Sequence, residues 1–249
     1  MVLTIDVGNT NVNFAVINKN GNILKKYVAP SMDKAKIRKV LTQIKSVSSI
    51  IIVSVAPKIL SIVNRDLRKI FKKTKIFIVG NDIKVPLECE YNKKEIGQDR
   101  LVTAFAAKEL YGAPTLVIDF GTAVTFDAIK GNRYLGGLIL PGIKMSLESL
   151  HDRTSMLPMT HLKKVNSFIG KNTKSSIRGG MAYGYGAICD GLIERFKKKL
   201  GKNLKVVATG GDAFLISRYT KSLKIIDSNL SHKGLFLLSQ INLRKILTK

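Results

Sequence analysis

The segment Leu3–Val16, LTIDVGNTNVNFAV, has the pattern of a buried strand that ends in a polar turn and continues as a second strand. Leu3 and Ile5 precede Asp6 in the first strand, and Gly8 follows two residues after Asp6. After the turn, Val12, Phe14 and Val16 occupy every second position, which is the period of a strand with one buried face. We therefore predict a β-hairpin whose first strand ends in a carboxylate.

A later segment, Leu116–Ile129 (LVIDFGTAVTFDAI), repeats this pattern. When Asp119 is aligned with Asp6, Gly121 falls on Gly8. The apolar alternation then resumes at Val124, Phe126 and Ala128. In both copies a Gly/Asn turn follows, NKNGN at 18–22 and KGNR at 130–133, and it leads into a third short strand. The same supersecondary unit is therefore predicted twice in the chain.

Strands and helices alternate in the rest of the chain. Helices are predicted at 32–46, from Pro57 onward, at 97–111 with Gly112 as the residue after the helix, and near 231–246. Buried strands are predicted at 49–54, in KIFIV and in NLKVVATGG. Two hairpin units, each followed by such an alternation, predict two similar α/β domains, residues 1–113 and 114–249.

Composition limits the class of protein. The chain has 249 residues, 45% hydrophobic and 24% charged, and no apolar run approaches the roughly 20 residues that a membrane-spanning helix needs. With two cysteines and no signal-peptide pattern at the N-terminus, we expect a cytoplasmic protein. The net charge of +25 permits an anionic partner. The lysines are scattered along helices without interleaved aromatic residues, however, so we expect a solvated surface and no nucleic-acid or membrane partner.

The two turns suit phosphate. A tight glycine hairpin at a strand end directs several backbone N–H groups to one point, and small hydroxyl or amide side chains add donors. Asp6 and Asp119 would then hold a cation beside the phosphates. The alternative is an ordinary hairpin turn with an Asx cap. Two such turns, with a third glycine-bearing strand end at ATGGD (208–212), favour a nucleotide cleft between the domains.

This combination resembles the actin-like ATPase superfamily, which transfers phosphoryl groups from ATP. A further motif points to the acceptor. The segment EIGQDRLV (95–102) places Gly-x-Asp-Arg at the start of a predicted helix. A carboxylate in the first turn is stabilised by the N–H groups there, and the adjacent arginine offers a planar fork for a substrate carboxylate or hydroxyl.

The ordered set of motifs resembles type III pantothenate kinase. The set comprises Asp-x-Gly-Asn-Thr, Gly-x-Asp-Arg, Asp-x-Gly-Thr-Ala-x-Thr and GGLILPG, and it extends from residue 3 to beyond residue 210. The resemblance implies duplicated actin-like (ribonuclease H-like) ATPase domains facing across a nucleotide cleft. It also implies phosphorylation of pantothenate to 4′-phosphopantothenate by ATP, the first step of coenzyme A biosynthesis.

The resemblance also implies roles for individual residues. The residues expected to hold the ATP phosphates are Asp6, Val7, Gly8, Asn9, Thr10, Asn11, Val12, Asn13 and Thr122. The residues expected to contact pantothenate are Tyr91, Gly97, Gln98, Asp99, Arg100 and Thr173. Asp99 would be the catalytic base, Asp119 would bind a monovalent cation (potassium or ammonium), and Asp6 would bind Mg²⁺, directly or through water. The family works as a homodimer with its substrate site at the subunit interface.

One segment departs from the family pattern. Many relatives have Tyr-x-Asn-Pro before the Gly-x-Asp-Arg stretch, whereas EYNKKEIGQDR lacks that proline and has one residue fewer between Tyr91 and Asp99. The helix glycines Gly180, Gly184 and Gly186 permit close approach of another backbone, either from a dimer mate or from the same chain. Two alternative functions stay open at this point: a non-catalytic transcriptional accessory factor of the same family, and an actin-like kinase for another small acceptor.

Overall fold

The computed structural model of the chain describes residues 1–89, 92 and 95–247, with the backbone alone described from residue 243 onward. Tyr91 lies outside the described residues, so its predicted place in the pantothenate pocket stays a prediction. The chain forms two compact units. Unit 1 comprises Met1–Ala106 and Asn229–Lys249, and unit 2 comprises Ala107–Ser228.

Unit 1 is built on a five-stranded sheet with the order β3-β2-β1-β4-β5. The strands of unit 1 are β1 (Val2–Val7), β2 (Asn11–Ile17), β3 (Ile23–Pro30), β4 (Ser49–Ser54), β5 (Lys75–Ile78) and a two-residue strand, β6 (Glu88–Cys89). Its helices are α1 (Lys34–Gln43), α2 (Pro57–Ile70), most of α3 (Gln98–Tyr111) and the C-terminal helix of the chain. Strand β1 pairs antiparallel with β2 and parallel with β4.

The two faces of the unit 1 sheet are covered by different helices. Leu3, Ile5 and Val7 of β1 lie on one face, in a buried cluster with apolar residues of α1 and α2. The strand SIIIVS is buried over almost its whole length, as predicted. Successive side chains of a strand point to opposite faces, so Thr4 and Asp6 lie on the other face. The C-terminal helix of the chain packs on β1, β4 and β2 at this second face.

The helix ends of the first half match their sequence signals. Asp33 caps α1, its carboxylate accepting the Lys36 N–H at 2.9 Å. Pro57 is the first residue of α2, as predicted. Helix α3 ends before Gly112, which has a φ of +84° and donates its N–H to Lys108 O at 2.9 Å. The predicted glycine cap is therefore confirmed.

Unit 2 repeats the topology of unit 1. Its strands are β7 (Thr115–Phe120), β8 (Ala123–Lys130), β9 (Arg133–Pro141), β10 (Lys205–Gly210) and β11 (Ile225–Ile226). Its helices are α4 (Ile143–Asp152), α5 (Thr173–Leu200) and α6 (Ala213–Ile216). The C-terminal helix of the chain, α7 (Leu230–Leu247), belongs to unit 1. These five strands of unit 2 follow the order β9-β8-β7-β10-β11 within a six-stranded sheet. As in unit 1, the central strand pairs antiparallel with the hairpin strand and parallel with the crossover strand, which confirms the predicted duplication.

The two hairpins differ in the length of their turns. The first hairpin loop (Gly8–Thr10) has three residues between β1 and β2, whereas the second hairpin loop (Gly121–Thr122) has two between β7 and β8. Both turns are closed in the same way, by Gly8 N–H to Asn11 O at 3.0 Å and by Gly121 N–H to Ala123 O at 3.1 Å. The predicted apolar alternation is confirmed in both copies. Val12, Phe14 and Val16 lie in the unit 1 core, and Val124, Phe126 and Ala128 lie in the unit 2 core.

Of the glycines Gly180, Gly184 and Gly186 in α5, the last has a local explanation. A Cβ on Gly186 would lie 2.0 Å from the backbone oxygen of Tyr219, so this glycine lets the short 3₁₀ turn at Ser217–Tyr219 pack against α5 within unit 2. A Cβ on Gly180 or Gly184 would meet no described atom within 4 Å. The close approach predicted for the α5 glycines therefore occurs inside one chain at Gly186.

The C-terminal helix is responsible for the difference between the observed units and the domains expected from the sequence. The first unit ends at Ala106, inside α3, and the chain returns to that unit at Asn229 because α7 packs on the first sheet. Sequence pattern alone assigns α7 to the second half, because a helix carries no sign of which sheet it covers. No helix in the described part of the chain combines the length and the apolar character that crossing a membrane requires.

Candidate functional site

The first hairpin loop presents backbone and small polar groups at the end of β1. Asn9 and Thr10 are exposed. A Cβ on Gly8 would lie 3.1 Å from Asn11 O, so a larger residue would push against the turn. Val7 and Val12 are among the predicted ATP-binding residues, but both side chains lie in the apolar core. Their side chains are therefore not available to a ligand.

Asp6 is half-buried at the end of β1 and is held by a residue of α7. The Ser231 hydroxyl donates a hydrogen bond to Asp6 Oδ2 at 2.8 Å. Burial raises the pKa of Asp6 to about 6; the Ser231 hydrogen bond lowers this pKa, and the negative charge of Asp99 raises it. The structure thus brings two of the predicted site carboxylates, Asp6 and Asp99, within electrostatic reach of each other.

The first turn of α7 is attached to the polar face of β1 by two adjacent residues. Ser231 binds Asp6, and His232 Nδ1 forms a hydrogen bond of 2.8 Å with the hydroxyl of Thr4. Thr4 and Asp6 are two positions apart on β1 and therefore point to the same face. Burial, with the nearby charge of Lys26, lowers the pKa of His232 to about 4, so the imidazole is neutral at pH 7. The helix start is thus fixed on the strand that carries Asp6.

The Gly-x-Asp-Arg motif lies at the N-terminus of α3, as predicted. Asp99 Oδ1 accepts the Arg100 N–H at 2.8 Å. A Cβ on Gly97 would lie only 2.4 Å from Asp99 Oδ1, so Gly97 gives the carboxylate its room. The Gln98 side chain packs against Gly80, which has a φ of +92° just beyond β5. The glycines at 80 and 97 therefore let this helix start lie close to neighbouring backbone.

The helix start lies at the carboxyl ends of the parallel strands of unit 1. A Cβ on Gly97 would lie 3.3 Å from the Val55 side chain, and Val55 N–H donates to Val7 O at 3.1 Å where β4 and β1 end. Asp6 occupies the same end of β1. Ligands of open α/β sheets bind outside the carboxyl ends of the strands, where the strand order reverses, and β1 is the strand at which this sheet reverses. This end of unit 1 is therefore its candidate functional site.

Unit 2 carries the remaining predicted site residues. Asp119 is half-buried at the end of β7, and a Cβ on Gly210, whose φ is +92°, would lie 2.5 Å from Asp119 Oδ1. Thr122 is exposed in the second hairpin loop, the counterpart of the first. Thr173 is the exposed first residue of α5, directly after the cap residue Asn172, whose side chain accepts the Ser175 N–H.

The donor set of the candidate site suits a hard cation. Among the described residues no group of three or more His, Cys, Asp and Glu side chains could hold a metal by itself. Asp6 supplies carboxylate oxygens at this site, and Mg²⁺ is commonly bound by one or two carboxylates with substrate phosphates and water completing its shell. The residues present therefore fit an ion that arrives with a nucleotide.

Comparison with known proteins identifies the family. A model of the type III pantothenate kinase family matches residues 2–195. A type III pantothenate kinase from Halalkalibacterium halodurans is 38% identical over 254 residues, which cover 97% of this chain and 100% of that protein.

The chain belongs to the type III pantothenate kinase family. The kinase uses ATP to phosphorylate pantothenate, a reaction of coenzyme A biosynthesis. A nucleoside triphosphate in such a reaction comes with a divalent cation.

Solved structures with lower identity show the fold of the kinase. A Campylobacter jejuni protein assigned to a Baf family of transcriptional activators aligns with a TM-score of 0.60 at 20% identity, covering 97% of this chain and 99% of that one. The activator of 2-hydroxyisocaproyl-CoA dehydratase from Clostridium difficile aligns with a TM-score of 0.58 at 11% identity, covering 100% and 98%. A 2-dehydro-3-deoxygalactonokinase-like protein from Sinorhizobium meliloti aligns with a TM-score of 0.60 at 11% identity. These three structures confirm the actin-like ATPase fold.

Sequence reasoning missed two serines that contact the first hairpin. Ser231 binds Asp6, and Ser31, which follows β3, donates from both its hydroxyl and its N–H to the first hairpin loop. Ser231 carries only the weak signal of a polar residue in the first turn of a helix. Ser31 lies after the strand-ending Pro30, and no sequence rule links such a position to a loop about twenty residues earlier.

The raised pKa of Asp6 predicts how the stability of the kinase depends on pH. The folded protein holds the Asp6 proton more tightly than the unfolded chain does, because the pKa is about 6 in the folded state against an ordinary 3.8. The stabilisation from this group is therefore complete below about pH 4 and is lost as the pH rises through about 6. The Asp6→Asn variant keeps an acceptor for Ser231 and has no charge to desolvate. Without nucleotide and metal it should melt above the wild type at about pH 8, and the difference should shrink toward about pH 4.

Melting temperatures across this pH range, measured for both proteins by calorimetry, check the expectation. An Asp33→Asn variant, changed at the exposed cap of α1, controls for the loss of one carboxylate from the chain. Wild-type and Asp6→Asn melting curves that stay a constant distance apart from about pH 4 to 8 would contradict it.

Proposed function

We propose that the carboxyl-end site of unit 1 carries the phosphoryl-transfer chemistry of this kinase, with Asp99 as the catalytic base. The main support is the placement of Asp99 in the first turn of α3, where its carboxylate is held by the Arg100 N–H and its charge acts on Asp6. Asp99 would accept the proton of the primary hydroxyl of pantothenate as that oxygen attacks the γ-phosphorus of ATP, and the bond from the γ-phosphorus to the β-phosphate oxygen breaks to release ADP.

In this proposal the first hairpin of unit 1 contacts the ATP phosphates through residues 6–13, with its polar side chains and the backbone of its turn as the donors. The contact predicted for Thr122, in the second hairpin loop of unit 2, stays a prediction. The Clostridium difficile activator, which shares the fold, was solved with bound ADPNP, which supports nucleotide binding by this fold.

The protein's part in the reaction is to position the reactants and balance charge. Phosphoryl transfer passes through a loose transition state whose charge lies on the transferring oxygens, so fixed donors and cations contribute most of the catalysis. Mg²⁺, when bound with ATP, would neutralise phosphate charge, and Asp6 would hold it directly or through water. Gly97, Gln98 and Arg100 would line the pantothenate pocket, with the Arg100 guanidinium facing the substrate carboxylate or a hydroxyl.

Replacing Asp99 by Asn tests the role of the base. The amide keeps the size of the side chain and an oxygen that can accept the Arg100 N–H, but it cannot take a proton from an alcohol. Turnover should fall by about 10²- to 10⁴-fold while ATP affinity stays close to that of the wild type. Steady-state rates and calorimetric titration with a non-hydrolysable ATP analogue measure the two quantities separately.

Asp33→Asn is the matched control for this variant. Asp33 is also a helix N-terminal carboxylate that accepts a backbone N–H, here from Lys36, and asparagine caps helices about as well as aspartate does. The control should keep full activity. Near-normal turnover by Asp99→Asn would remove the base assignment.

We further propose that Asp119 takes part in binding a monovalent cation, potassium or ammonium. The support is a half-buried carboxylate at the end of β7 that lies close to Gly210, because carboxylate oxygens are hard ligands of the kind such a cation takes.

Asp119→Asn should therefore raise the concentration of potassium needed for half-maximal activity, because the amide retains one oxygen ligand and loses the charge. ADP release measured against potassium concentration checks this, with Asp152→Asn as an exposed control in the same unit. A potassium dependence that is identical in wild type and Asp119→Asn would count against the assignment.

A homodimer with the substrate site at its interface completes the proposal. The support is a set of exposed apolar side chains in unit 2, namely Leu138, Ile139, Phe168 and Ile169, of which the last two lie just before Thr173, a predicted pantothenate contact. Association in a dimer would remove such apolar side chains from water.

Ile139→Lys should convert the dimer to a monomer and abolish pantothenate phosphorylation. Light scattering coupled to size-exclusion chromatography measures the mass, and a coupled ADP assay measures the activity. A wild-type kinase that is monomeric and fully active would overturn the proposed interface.

A further inference from the structure

Ser31 makes two hydrogen bonds to the first hairpin loop from a position about twenty residues later in the chain. Its hydroxyl donates to Gly8 O at 2.7 Å, and its N–H donates to Thr10 O at 2.9 Å. The residue is 1% exposed, so water does not compete for these bonds. Ser31 thus holds the first and the last residue of the loop together.

These bonds fix the direction of a loop donor as well as the loop backbone. The carbonyl of one residue and the N–H of the next share a planar trans peptide and point in opposite directions. When the Ser31 hydroxyl holds Gly8 O, the Asn9 N–H on the same peptide unit is turned away from Ser31. Asn9 itself is an exposed residue.

Unit 2 uses the same arrangement with a different residue. Strand β3 ends at Pro30, opposite Asn11, and β9 ends at Pro141, opposite Ala123. The residue after each proline donates its N–H to the last carbonyl of its own hairpin loop: Ser31 to Thr10 O, and Gly142 to Thr122 O at 3.1 Å.

The side chain after the proline differs for a steric reason. A Cβ on Gly142 would lie 2.1 Å from Thr122 O and 2.7 Å from Gly121 O, so the second loop excludes every side chain at this position. The first loop is one residue longer, and it has room for a hydroxymethyl group that reaches Gly8 O. The final Pro-Gly of GGLILPG, a motif without a place in the proposed chemistry, gains a structural role in this way.

We propose that Ser31 is a positioning residue for nucleotide binding, whose hydroxyl holds the Gly8–Thr10 backbone in the conformation that contacts phosphate. The proposal rests on the proposed role of this loop in binding ATP phosphates. Ser31 does not touch the substrate, and its effect reaches the nucleotide through the loop backbone.

Three variants of the full-length kinase test this role. Ser31→Ala removes the hydroxyl and keeps the N–H bond, and Ser31→Thr restores a hydroxyl at the same carbon. Ser48→Ala is the matched control, because Ser48 donates to Met1 O from its hydroxyl at 2.7 Å and from its N–H at 2.8 Å, at the opposite end of β1. Circular dichroism and melting temperature identify the variants that fold.

The first readout is hydrogen exchange at the amides of residues 8–12 without nucleotide. Exchange should be faster in Ser31→Ala than in wild type, return toward wild type in Ser31→Thr, and stay unchanged in Ser48→Ala. The second readout is kinetic. The loss of one buried hydrogen bond should raise the KM for ATP by about three- to tenfold, with the KM for pantothenate unchanged.

The measurements distinguish a failure of the positioning role of Ser31 from a failure of the proposed phosphate contact. Wild-type exchange with and without a non-hydrolysable ATP analogue tests whether the loop contacts nucleotide at all, and unchanged protection there would remove the proposed phosphate contact. Loop exchange in Ser31→Ala equal to that of wild type would overturn the positioning role. Faster exchange with an unchanged KM for ATP would also overturn it, because the hydroxyl would then serve stability alone.

Discussion

The candidate site of unit 1 depends on a carboxylate at the end of β1, on the face of the strand opposite the apolar cluster. Residues on one face of β1 are buried in the apolar cluster, and Asp6 lies on the other face at the strand's end. Burial there raises its pKa, an electrostatic cost that the Ser231 hydrogen bond partly offsets. Three elements converge on this carboxylate: the hairpin turn, the start of α7, and the start of α3 with Asp99. An electrostatic cost of this kind is typical of sites whose groups are arranged for a ligand.

Glycine is the means by which the backbone makes room around the site carboxylates. A side chain at Gly97 would collide with Asp99, and a side chain at Gly210 would collide with Asp119. The two positions lie in different units, one before a helix and the other at the end of a strand, so the shared feature is steric. In each case the carboxylate packs directly against the main chain. This packing limits the rotamers of the acidic side chain and so fixes the direction of its oxygens.

The duplication explains why the two units resemble each other in more than topology. Both turns close with a glycine N–H, and both are held by the residue that follows a strand-ending proline. Proline suits that position because it has no N–H to donate to the sheet, so the ladder ends there and the next residue is available to the loop. The units differ in loop length by one residue, and this difference decides whether the bracing residue is serine or glycine.

Local sequence determined the central strands of both sheets, two helix ends and the identity of the chemical motifs. Period-two alternation located both hairpins, Pro57 and Gly112 marked helix ends, and the repeated Asp-x-Gly revealed the duplication, because each of these signals acts within a few residues. Only the tertiary structure decided that α7 covers the first sheet, that Ser231 meets Asp6, and that Ser31 braces a loop formed much earlier in the chain. Those contacts join residues far apart in sequence, and the helix pattern that buries a face does not state which sheet it will cover.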